Sequence, residues 1–392
     1  MPDPMPWLPL KDIVRQTSLG TPARGHSGSG AIRLIKMGSI GEGRVGLDQT
    51  ELVSRDLIDG LPSISLRTGD VLFNTRNTPQ LVGKVGIWQG DGVESVPDNN
   101  LLLMRFADTI DARYMNYQLG FGEPSRMIPS LAQGTTSVAA IYWRDLQHLL
   151  VPAPELAEQQ RVANVLDEVG MQIDSLAAIE QKKRRVKEGV ISRLLAGDDG
   201  WRSMSIGDLG RVVTGRTPTV GASDGTGRDI PFVTPTEVTE SGRVVRPNRA
   251  AEPDSAGLTA VPARSTLAVC IGFGIGKVGL LEFDACVNQQ INALIPAATM
   301  DPTFVFHLIS SVSHDIKMRS GLQVTPIVNK TEFSKIAVRA PDLAEQTRIS
   351  EVIARAVTEV ETLQAEIKKL QSVKRALMED LLTGRVRTPV PS

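Results

Sequence analysis

The segment PELAEQQRVANVLDEV at residues 154–169 returns in altered form as PDLAEQTRISEVIARA at residues 341–356. When 154–197 is placed over 341–384 without a gap, 15 of the 44 positions are identical. Both copies begin with proline, which suits a first helical turn, and end with glycine, which suits a C-terminal cap. The repeat therefore predicts two helices of equal length, each on the order of 60 Å long at ~1.5 Å per residue.

Apolar residues recur along the second copy in alternating steps of four and three, which is the heptad pattern of a left-handed coiled coil. Its seats are Ile349, Ile353, Ala356, Val360, Leu363, Ile367, Leu370, Lys374, Leu377 and Leu381. Such a seam needs a partner, and the other copy is the economical candidate. We therefore predict an antiparallel coiled coil with pseudo-two-fold symmetry, because this arrangement places equivalent domains at opposite ends.

The first copy has a less regular seam. Its seats are Val162, Leu166, Val169, Ile173 and Leu176, followed by the charged residues Glu180, Lys183 and Lys187. Val190 and Leu194 then restore the apolar pattern. Since Ile179 and Val186 each lie one position from a charged seat, we expect that they can take over the seam locally.

The segments that precede the two helices are also related. Each contains the tetrapeptide GKVG, at 83–86 and at 276–279. Short β-prone runs, glycine turns and helical patterns near 111–120 and 302–316 indicate an α/β protein with two mixed α/β domains. The predicted organisation is a globular domain at 1–152, a long helix at 153–200, a second globular domain at 201–340, and a second long helix with a tail at 341–392.

Composition excludes several classes of protein. The formal net charge of the 392 residues is −1, so a nucleic-acid partner would have to meet a local basic surface. The two cysteines, Cys270 and Cys286, are too few for a Cys-rich zinc site and suggest reduced thiols. The N-terminus has no signal-peptide pattern, and the apolar stretch 267–281 contains four glycines and a lysine, which favours strand–turn–strand over a membrane span. We therefore expect a cytoplasmic protein without membrane contact.

Signals for catalysis are weak. The segment GFGIGK at 272–277 lacks the first glycine and the final Ser or Thr of a phosphate-binding loop. The four histidines are scattered without metal-ligand spacing. We expect no catalytic residue and no bound metal in this chain.

Several segments together resemble the specificity subunit of type I restriction–modification systems. These are the doubled P-x-L-A-E-Q start with Arg161 or Arg348, the LL-x-G helix ends, and T-G-R-T-P at 214–218. GDVLFNTRNTPQLVGKVG at 69–86 and VNQQINALIP at 287–296 add to the resemblance, which extends over the whole chain.

The resemblance implies a division of labour. Two target-recognition domains would each read one half of a split sequence in double-stranded DNA. The coiled coil would act as a ruler and bind two modification subunits, to which restriction subunits can add. S-adenosylmethionine would be carried by the modification subunits, so no cofactor is expected in this chain.

Base edges in the major groove are read mainly by Arg, Lys, Asn, Gln, Ser and Thr. The candidates in the first domain are Asn74, Thr75, Arg76, Asn77, Lys84, Gln133, Thr135 and Thr136. Those in the second are Thr214, Arg216, Thr217, Lys277, Gln323 and Lys330. Candidates for contact with the phosphates of the unread spacer are Lys182, Lys183, Arg184, Arg185, Lys368 and Lys369, although a solvated helix face is the simpler interpretation.

Two other functions stay open from the residues alone. The chain would also suit a coiled-coil scaffold whose globular domains bind peptides, or an independent enzyme with an unrecognised site. Salt-dependent binding to a bipartite duplex separates the first from a DNA reader. Methyl transfer or DNA cleavage by the purified chain would favour the second.

Overall fold

The computed structural model describes residues 5–25, 30–58, 60–134, 137–217, 230–251, 259–272, 274–319 and 327–388. The chain folds into two compact units. Unit 1 combines residues 1–177 with residues 365–392, and unit 2 consists of residues 178–364. Each unit thus holds one globular domain, the first half of the long helix that follows it, and the last half of the other long helix.

The two long helices run from Leu156 to Leu195 and from Leu343 to Leu382, with 40 residues each. The expectation of two equal helices is therefore confirmed. In unit 1, Val162 and Leu166 near the start of the first helix share a buried core with Leu381 near the end of the second.

Unit 2 repeats this pairing with the roles of the helices exchanged. Leu194 near the end of the first helix packs against the core that contains Ile349 and Ile353 near the start of the second. Because beginnings meet ends in both units, the helices are antiparallel, as the repeat predicts.

The polar seats of the first helix do not give way to their apolar neighbours. Glu180 is only 8% exposed, whereas Ile179 and Val186 are 43% and 60% exposed. The expectation that Ile179 and Val186 take over the seam is therefore wrong. Glu180 can remain in the seam because its carboxylate accepts hydrogen bonds from Arg184 at 2.6 Å and from Gln364 of the second long helix at 2.7 Å. These bonds replace the water that the buried charge has lost.

The globular domain of unit 1 is built on a six-stranded sheet. Its strands, in spatial order, are Val14–Leu19, Leu101–Phe106, Val71–Asn74, Val85–Ile87, Gly43–Val45 and Ile40–Gly41. Smaller sheets join Ser95–Pro97, Ala31–Ile35 and Thr50–Ser54, then Gln133–Gly134, Ala139–Ala140 and Arg76–Asn77, and finally Trp7–Pro9 with Leu150–Pro152. The helices are Leu10–Ile13, Leu61–Ile64, Ala112–Phe121, Glu123–Met127 and Trp143–Leu146, with short 3-10 turns at Met37–Ser39, Arg55–Leu57 and Ile128–Leu131.

Unit 2 has a reduced version of this domain. Its main sheet orders Gly210–Thr214, Ile291–Pro296, Thr266–Val269 and Val278–Leu280. Two smaller sheets join Ala250–Ala251, Ile230–Val233 and Cys286–Val287, and Arg202–Ser205 with Ala337–Ala340. The helices are Pro302–Ser311, Ser313–Arg319 and Lys330–Ser334, with a 3-10 turn at Ile206–Leu209. Both domains are mixed α/β, as the sequence predicts.

The glutamine of the repeated P-x-L-A-E-Q motif fastens each long helix to its domain. Gln159 and Gln346 are each 1% exposed. The Gln159 side chain accepts from the backbone N–H of Asp111 at 2.9 Å and donates to the carbonyl of Pro154 at 2.7 Å. Gln346 makes the matching pair of bonds at 2.9 Å, to the N–H of Asp301 and the carbonyl of Pro341.

Asp111 and Asp301 in turn cap the domain helices Ala112–Phe121 and Pro302–Ser311, because their carboxylates accept backbone N–H groups of the first turn. One glutamine in each unit therefore ties the start of a long helix to the start of a domain helix. This double tie gives a physical reason for the repeated motif.

Glycine ends both long helices. Gly197 and Gly384 have φ of 69° and 70°, the left-handed conformation that glycine adopts without steric cost. A Cβ atom at Gly197 would lie 2.8 Å from the Trp201 ring, and one at Gly384 would lie 2.5 Å from the Met5 side chain. Each helix end is thus packed tightly against the first residues of its unit's domain.

Across the described residues, the helices are too short or too polar for any of them to cross a bilayer.

Candidate nucleic-acid interface

The predicted residues of unit 1 surround the segment between strands Val71–Asn74 and Val85–Ile87. The backbone N–H of Asn74 donates to the carbonyl of Lys84, and the N–H of Gly83 donates to the carbonyl of Asn74, both at 2.8 Å. These bonds close the base of an extended loop. Residues 75–82 therefore project from the end of a buried strand.

Asn74 itself is fully buried. Its side-chain nitrogen donates to the carbonyl of Leu81 at 3.4 Å, and its side-chain oxygen accepts the N–H of Arg76 at 3.3 Å. In this conformation the Asn74 side chain shapes the loop and has no free edge for a base.

Arg76 and Gln133, predicted from separate segments, lie on the same small sheet. Ala140 pairs with Gln133 on one side and with Arg76 on the other. Residues that face each other across antiparallel strands point to the same side of a sheet. Both side chains are exposed and flank the small Ala140, so together they border a shallow groove.

Tyr142 and Arg144 extend this surface and escaped the sequence analysis. The guanidinium of Arg144 lies 5.0 Å from the centre of the exposed Tyr142 ring. Arg144 also donates to the side-chain oxygen of Gln133 at 3.3 Å, while the Gln133 nitrogen donates to Asp145 at 2.9 Å. The only signal in the sequence was an aromatic residue next to an arginine two positions after a short β-prone run.

The remaining candidates of unit 1 differ in their freedom. The Thr75 hydroxyl donates to the carbonyl of Asn100 at 2.9 Å, and the Asn77 side chain accepts the N–H of Thr78 at 2.8 Å. Lys84 is exposed. Thr135 and Thr136 lie outside the described residues.

Unit 2 closes its equivalent loop with the same backbone bonds. The N–H of Val269 donates to the carbonyl of Lys277, and the N–H of Gly276 donates to the carbonyl of Val269. Val269 thus takes the place of Asn74. Lys277 takes the place of Lys84, but its ammonium group lies 3.3 Å from the carboxylate of Glu240. The loop is two residues shorter than its counterpart in unit 1.

The T-G-R-T-P segment lies beside the amide-rich patch of unit 2. The Thr214 hydroxyl donates to the side-chain oxygen of the buried Asn292 at 2.7 Å, and Thr217 accepts from Asn288 at 3.2 Å. Arg216 is exposed, with its backbone N–H bonded to the carbonyl of Val287. A Cβ atom at Gly215 would lie 2.1 Å from the carbonyl oxygen of Val287, so only glycine fits there.

Two candidates lie near the end of the unit 2 domain. Lys330 is the exposed first residue of the helix Lys330–Ser334, which Asn329 caps. Gln323 lies outside the described residues.

The basic residues of the long helices are exposed, but not all of them carry a free charge. Lys183 pairs with Glu359 at 2.7 Å, and Arg184 pairs with Glu180. The exposed neighbours are Lys182, Arg185, Lys368 and Lys369. Pairing reduces the attraction of Lys183 and Arg184 for phosphate, so the four neighbours are the stronger candidates for a spacer contact.

A cleft of about 650 Å³ lies within unit 1 between the domain and the long helices. Arg44 pairs there with Asp174, and Lys374 lies 5.7 Å from the centre of the Tyr117 ring. Burial, followed by the positive charge of Arg44, lowers the pKa of Lys374. The cationic and anionic groups of this cleft are balanced, unlike the outward-facing loop around Arg76.

In the part of the chain that the structure describes, His, Cys, Asp and Glu residues form no group of three or more suited to a metal ion.

Comparison with known proteins relates the chain to one family. Residues 198–372 match the family described as the type I restriction modification DNA specificity domain. The chain is 22% identical to the putative type I restriction enzyme MjaX specificity subunit of Methanocaldococcus jannaschii, over 96% of this chain and 92% of that protein. It is 25% identical to the type I restriction enzyme HindI specificity subunit of Haemophilus influenzae, over 48% of this chain and 42% of that protein.

The fold is shared with a solved structure as well. The S subunit of the type I restriction–modification system from M. genitalium superposes with a TM-score of 0.63 over 97% of each chain, at 14% identity. This likeness covers the two globular domains and both long helices. The protein therefore belongs to the specificity subunits of type I restriction–modification systems.

Proposed function

We propose that the globular domain of each unit reads one half of a bipartite sequence in double-stranded DNA. The observation that carries this proposal is the duplicated loop, closed by the same pair of backbone bonds at Asn74 and at Val269. The two loops have one scaffold and different side chains. This difference suits two domains that recognise different bases with a common framework.

The residues at the loops have the chemistry that base reading needs. Arginine can bind the O6 and N7 atoms of guanine with two hydrogen bonds, and glutamine can bind adenine in a similar way. Arg76 and Gln133 offer these groups on one face of unit 1, and Arg216 is exposed beside Thr217 in unit 2. Lysines such as Lys84 would hold the phosphates and fix the position of the domain on the duplex.

The long helices would set the gap between the two half-sites. Each 40-residue helix is ~60 Å long at ~1.5 Å per residue, which exceeds the ~34 Å of one duplex turn. The length leaves room for a stretch of DNA that neither domain reads. The exposed side chains of Lys182, Arg185, Lys368 and Lys369 would approach the phosphates of that stretch.

We further propose that the chain has no catalytic role and that methyl transfer occurs in two modification subunits. S-adenosylmethionine would bind those subunits, and restriction subunits can join them. Apolar side chains exposed on the outer faces of the long helices, such as Met171, Val352 and Val373, provide a surface for docking. Work on DNA in this complex would take place in the cytoplasm.

A domain exchange tests the proposal. The chain is co-expressed with its modification subunits, and methylated sites are mapped on genomic DNA. Replacement of residues 1–152 by those of a homologue should change one half of the methylated sequence, and replacement of residues 201–340 should change only the other half. If either exchange altered both halves, the assignment of one domain to one half-site would be wrong.

A further inference from the structure

A strained arginine stands out in unit 2. Arg264 has φ of 67°, in the left-handed region that a non-glycine residue rarely adopts. It lies in the turn just before strand Thr266–Val269, where its N–H donates to the carbonyl of Leu281 at 2.6 Å. The turn therefore imposes a backbone conformation that disfavours an arginine.

Unit 1 shows which residue this turn prefers. Gly69 occupies the same place before strand Val71–Asn74, with φ of 92° and an N–H that donates to the carbonyl of Trp88 at 2.8 Å. Glycine adopts this conformation without a steric penalty. An arginine in the same turn of unit 2 costs stability, and strained residues of this kind concentrate at functional sites.

Two further arginines meet the same segment. The backbone of Arg243 is bridged to Leu280, and the guanidinium of Arg246 lies 5.2 Å from the centre of the Phe283 ring. All three arginines are exposed. Glu282 and Asp284 lie in the segment too, and Asp284 accepts the N–H of Ala263 at 2.8 Å. Three guanidinium groups against two carboxylates leave this surface, which we call the arginine turn, with positive charge.

The arginine turn is separate from the candidate base-reading residues. Strand Thr266–Val269 begins beside Arg264 and ends beside Cys270, whose N–H donates to the carbonyl of Gln290 near the amide-rich patch. Six residue steps of ~3.3 Å separate Arg264 from Cys270 by about 20 Å. This is less than the ~34 Å of one duplex turn, so one DNA molecule can reach both ends of the strand.

We propose that Arg243, Arg246 and Arg264 form a second phosphate-binding surface for duplex DNA in unit 2. This inference rests on the proposed function, because it gives the same domain an additional contact with its target. Arginine suits this role, since its planar guanidinium donates two parallel hydrogen bonds to phosphate oxygens. The contact carries no base information and acts by holding the duplex against the reading loops.

The test compares stability with salt-dependent binding in the full-length chain. The probe is a random-sequence duplex, whose binding is followed by fluorescence anisotropy at several salt concentrations. Arg264→Gly should raise the Tm by roughly 2–4 °C, because it removes the strain. The same variant should weaken binding by on the order of threefold to tenfold and reduce the slope of log affinity against log salt by about 0.9.

Matched variants separate charge from structure. Arg264→Lys keeps both strain and charge, so the salt slope should stay close to that of the wild type. Arg202→Gln removes an exposed arginine elsewhere in unit 2 and should also leave the slope unchanged. The triple variant Arg243→Gln, Arg246→Gln and Arg264→Gly should lose two to three contacts.

The outcomes distinguish this inference from the proposed function. An unchanged salt slope in Arg264→Gly and in the triple variant, with normal binding by the wild type, would overturn the second phosphate surface alone. A wild-type chain that shows no salt-dependent binding to duplex DNA would overturn both.

Discussion

Lys374 of the second long helix lies over Tyr117 of the unit 1 domain, with its ammonium nitrogen 5.7 Å from the ring centre. Unit 2 contains the corresponding pair. Lys187 occupies the matching position of the repeat, and His307 follows its capping aspartate by the same six residues as Tyr117. Burial, with the positive charge of Lys187 as a second cause, lowers the pKa of His307 to about 4. The last half of each long helix thus presents a lysine to an aromatic ring of the domain it joins.

This pair makes unit 2 sensitive to acid. The unfolded state binds a proton at the ordinary histidine pKa of about 6.5, whereas the folded state does not until about pH 4. Stability should therefore fall as the pH decreases from about 6.5 to about 4, by up to roughly 3 kcal/mol. Urea unfolding of the wild type and of His307→Tyr, which installs the unit 1 residue, measures the effect. If the two proteins lost stability in parallel over this range, His307 would not be its source.

The buried glutamines should be essential to the anchoring of the long helices. Gln346→Ala leaves the N–H of Asp301 and the carbonyl of Pro341 without their partner. We expect a loss of about 2–4 kcal/mol in the free energy of unfolding, since each unsatisfied buried group costs ~1–3 kcal/mol. Gln159→Ala should act equally in unit 1. The exposed neighbour Gln160→Ala is the control and should change stability by less than ~0.5 kcal/mol.

The buried carboxylate of the seam should cost stability. Glu180→Leu gives this heptad seat an apolar side chain, and replacement of a buried ionic group by a hydrophobic residue is often stabilising. We expect a higher Tm for Glu180→Leu and almost no change for the exposed Ile179→Ser. A lower Tm in Glu180→Leu would mean that the bonds to Arg184 and Gln364 outweigh the apolar contact.

Acid should weaken the same seam in the wild type. Hydrogen bonds from Arg184 and then Gln364 lower the pKa of Glu180. A lowered carboxylate pKa contributes stability above the ordinary pKa of the unfolded state, and this contribution disappears as the pH falls through the folded value. Glu180→Gln should show a smaller dependence on pH below about 4.3, the ordinary glutamate pKa, in the same unfolding measurement.

Arg76 should govern one position of the target. Arg76→Ala removes an exposed guanidinium without disturbing the buried Asn74. In the co-expressed complex we expect relaxed specificity in one half of the methylated sequence, with a loss of about 1–3 kcal/mol of discrimination. Arg15→Ala, which removes an exposed arginine paired with Asp108, is the matched control. Equal relaxation in both variants would remove Arg76 from the reading surface.

The long helices could be predicted because period and repeat are properties of the sequence itself. A heptad seam requires a partner, and the second copy supplied one. The error at Ile179 and Val186 arose because hydrophobicity was weighed without hydrogen bonds. The helix geometry places Glu180 in the seam, and Gln364 of the opposite helix makes that position tolerable.

The reading surface was predictable only in part. Polar residues at the end of a strand point to a loop, but the sequence does not tell that Asn74 turns inward while Arg76 turns outward. The proximity of Arg76 and Gln133 depends on the pairing of both with Ala140, which lies far from Arg76 in the chain. The match of Arg264 with Gly69 was hidden because the loops that follow them differ in length.

The composition of unit 1 also bears on how the protein is made. Its core includes Leu377, Leu381 and Leu382, so the unit needs residues that are synthesised after all of unit 2. At roughly 5–20 residues per second, the ribosome needs on the order of 10–40 s to pass from residue 178 to residue 364. During that interval the nascent first domain displays an unfilled apolar surface at Val162 and Leu166. Molecular chaperones would find their most exposed substrate there, and release of the finished chain would complete the first domain after the second.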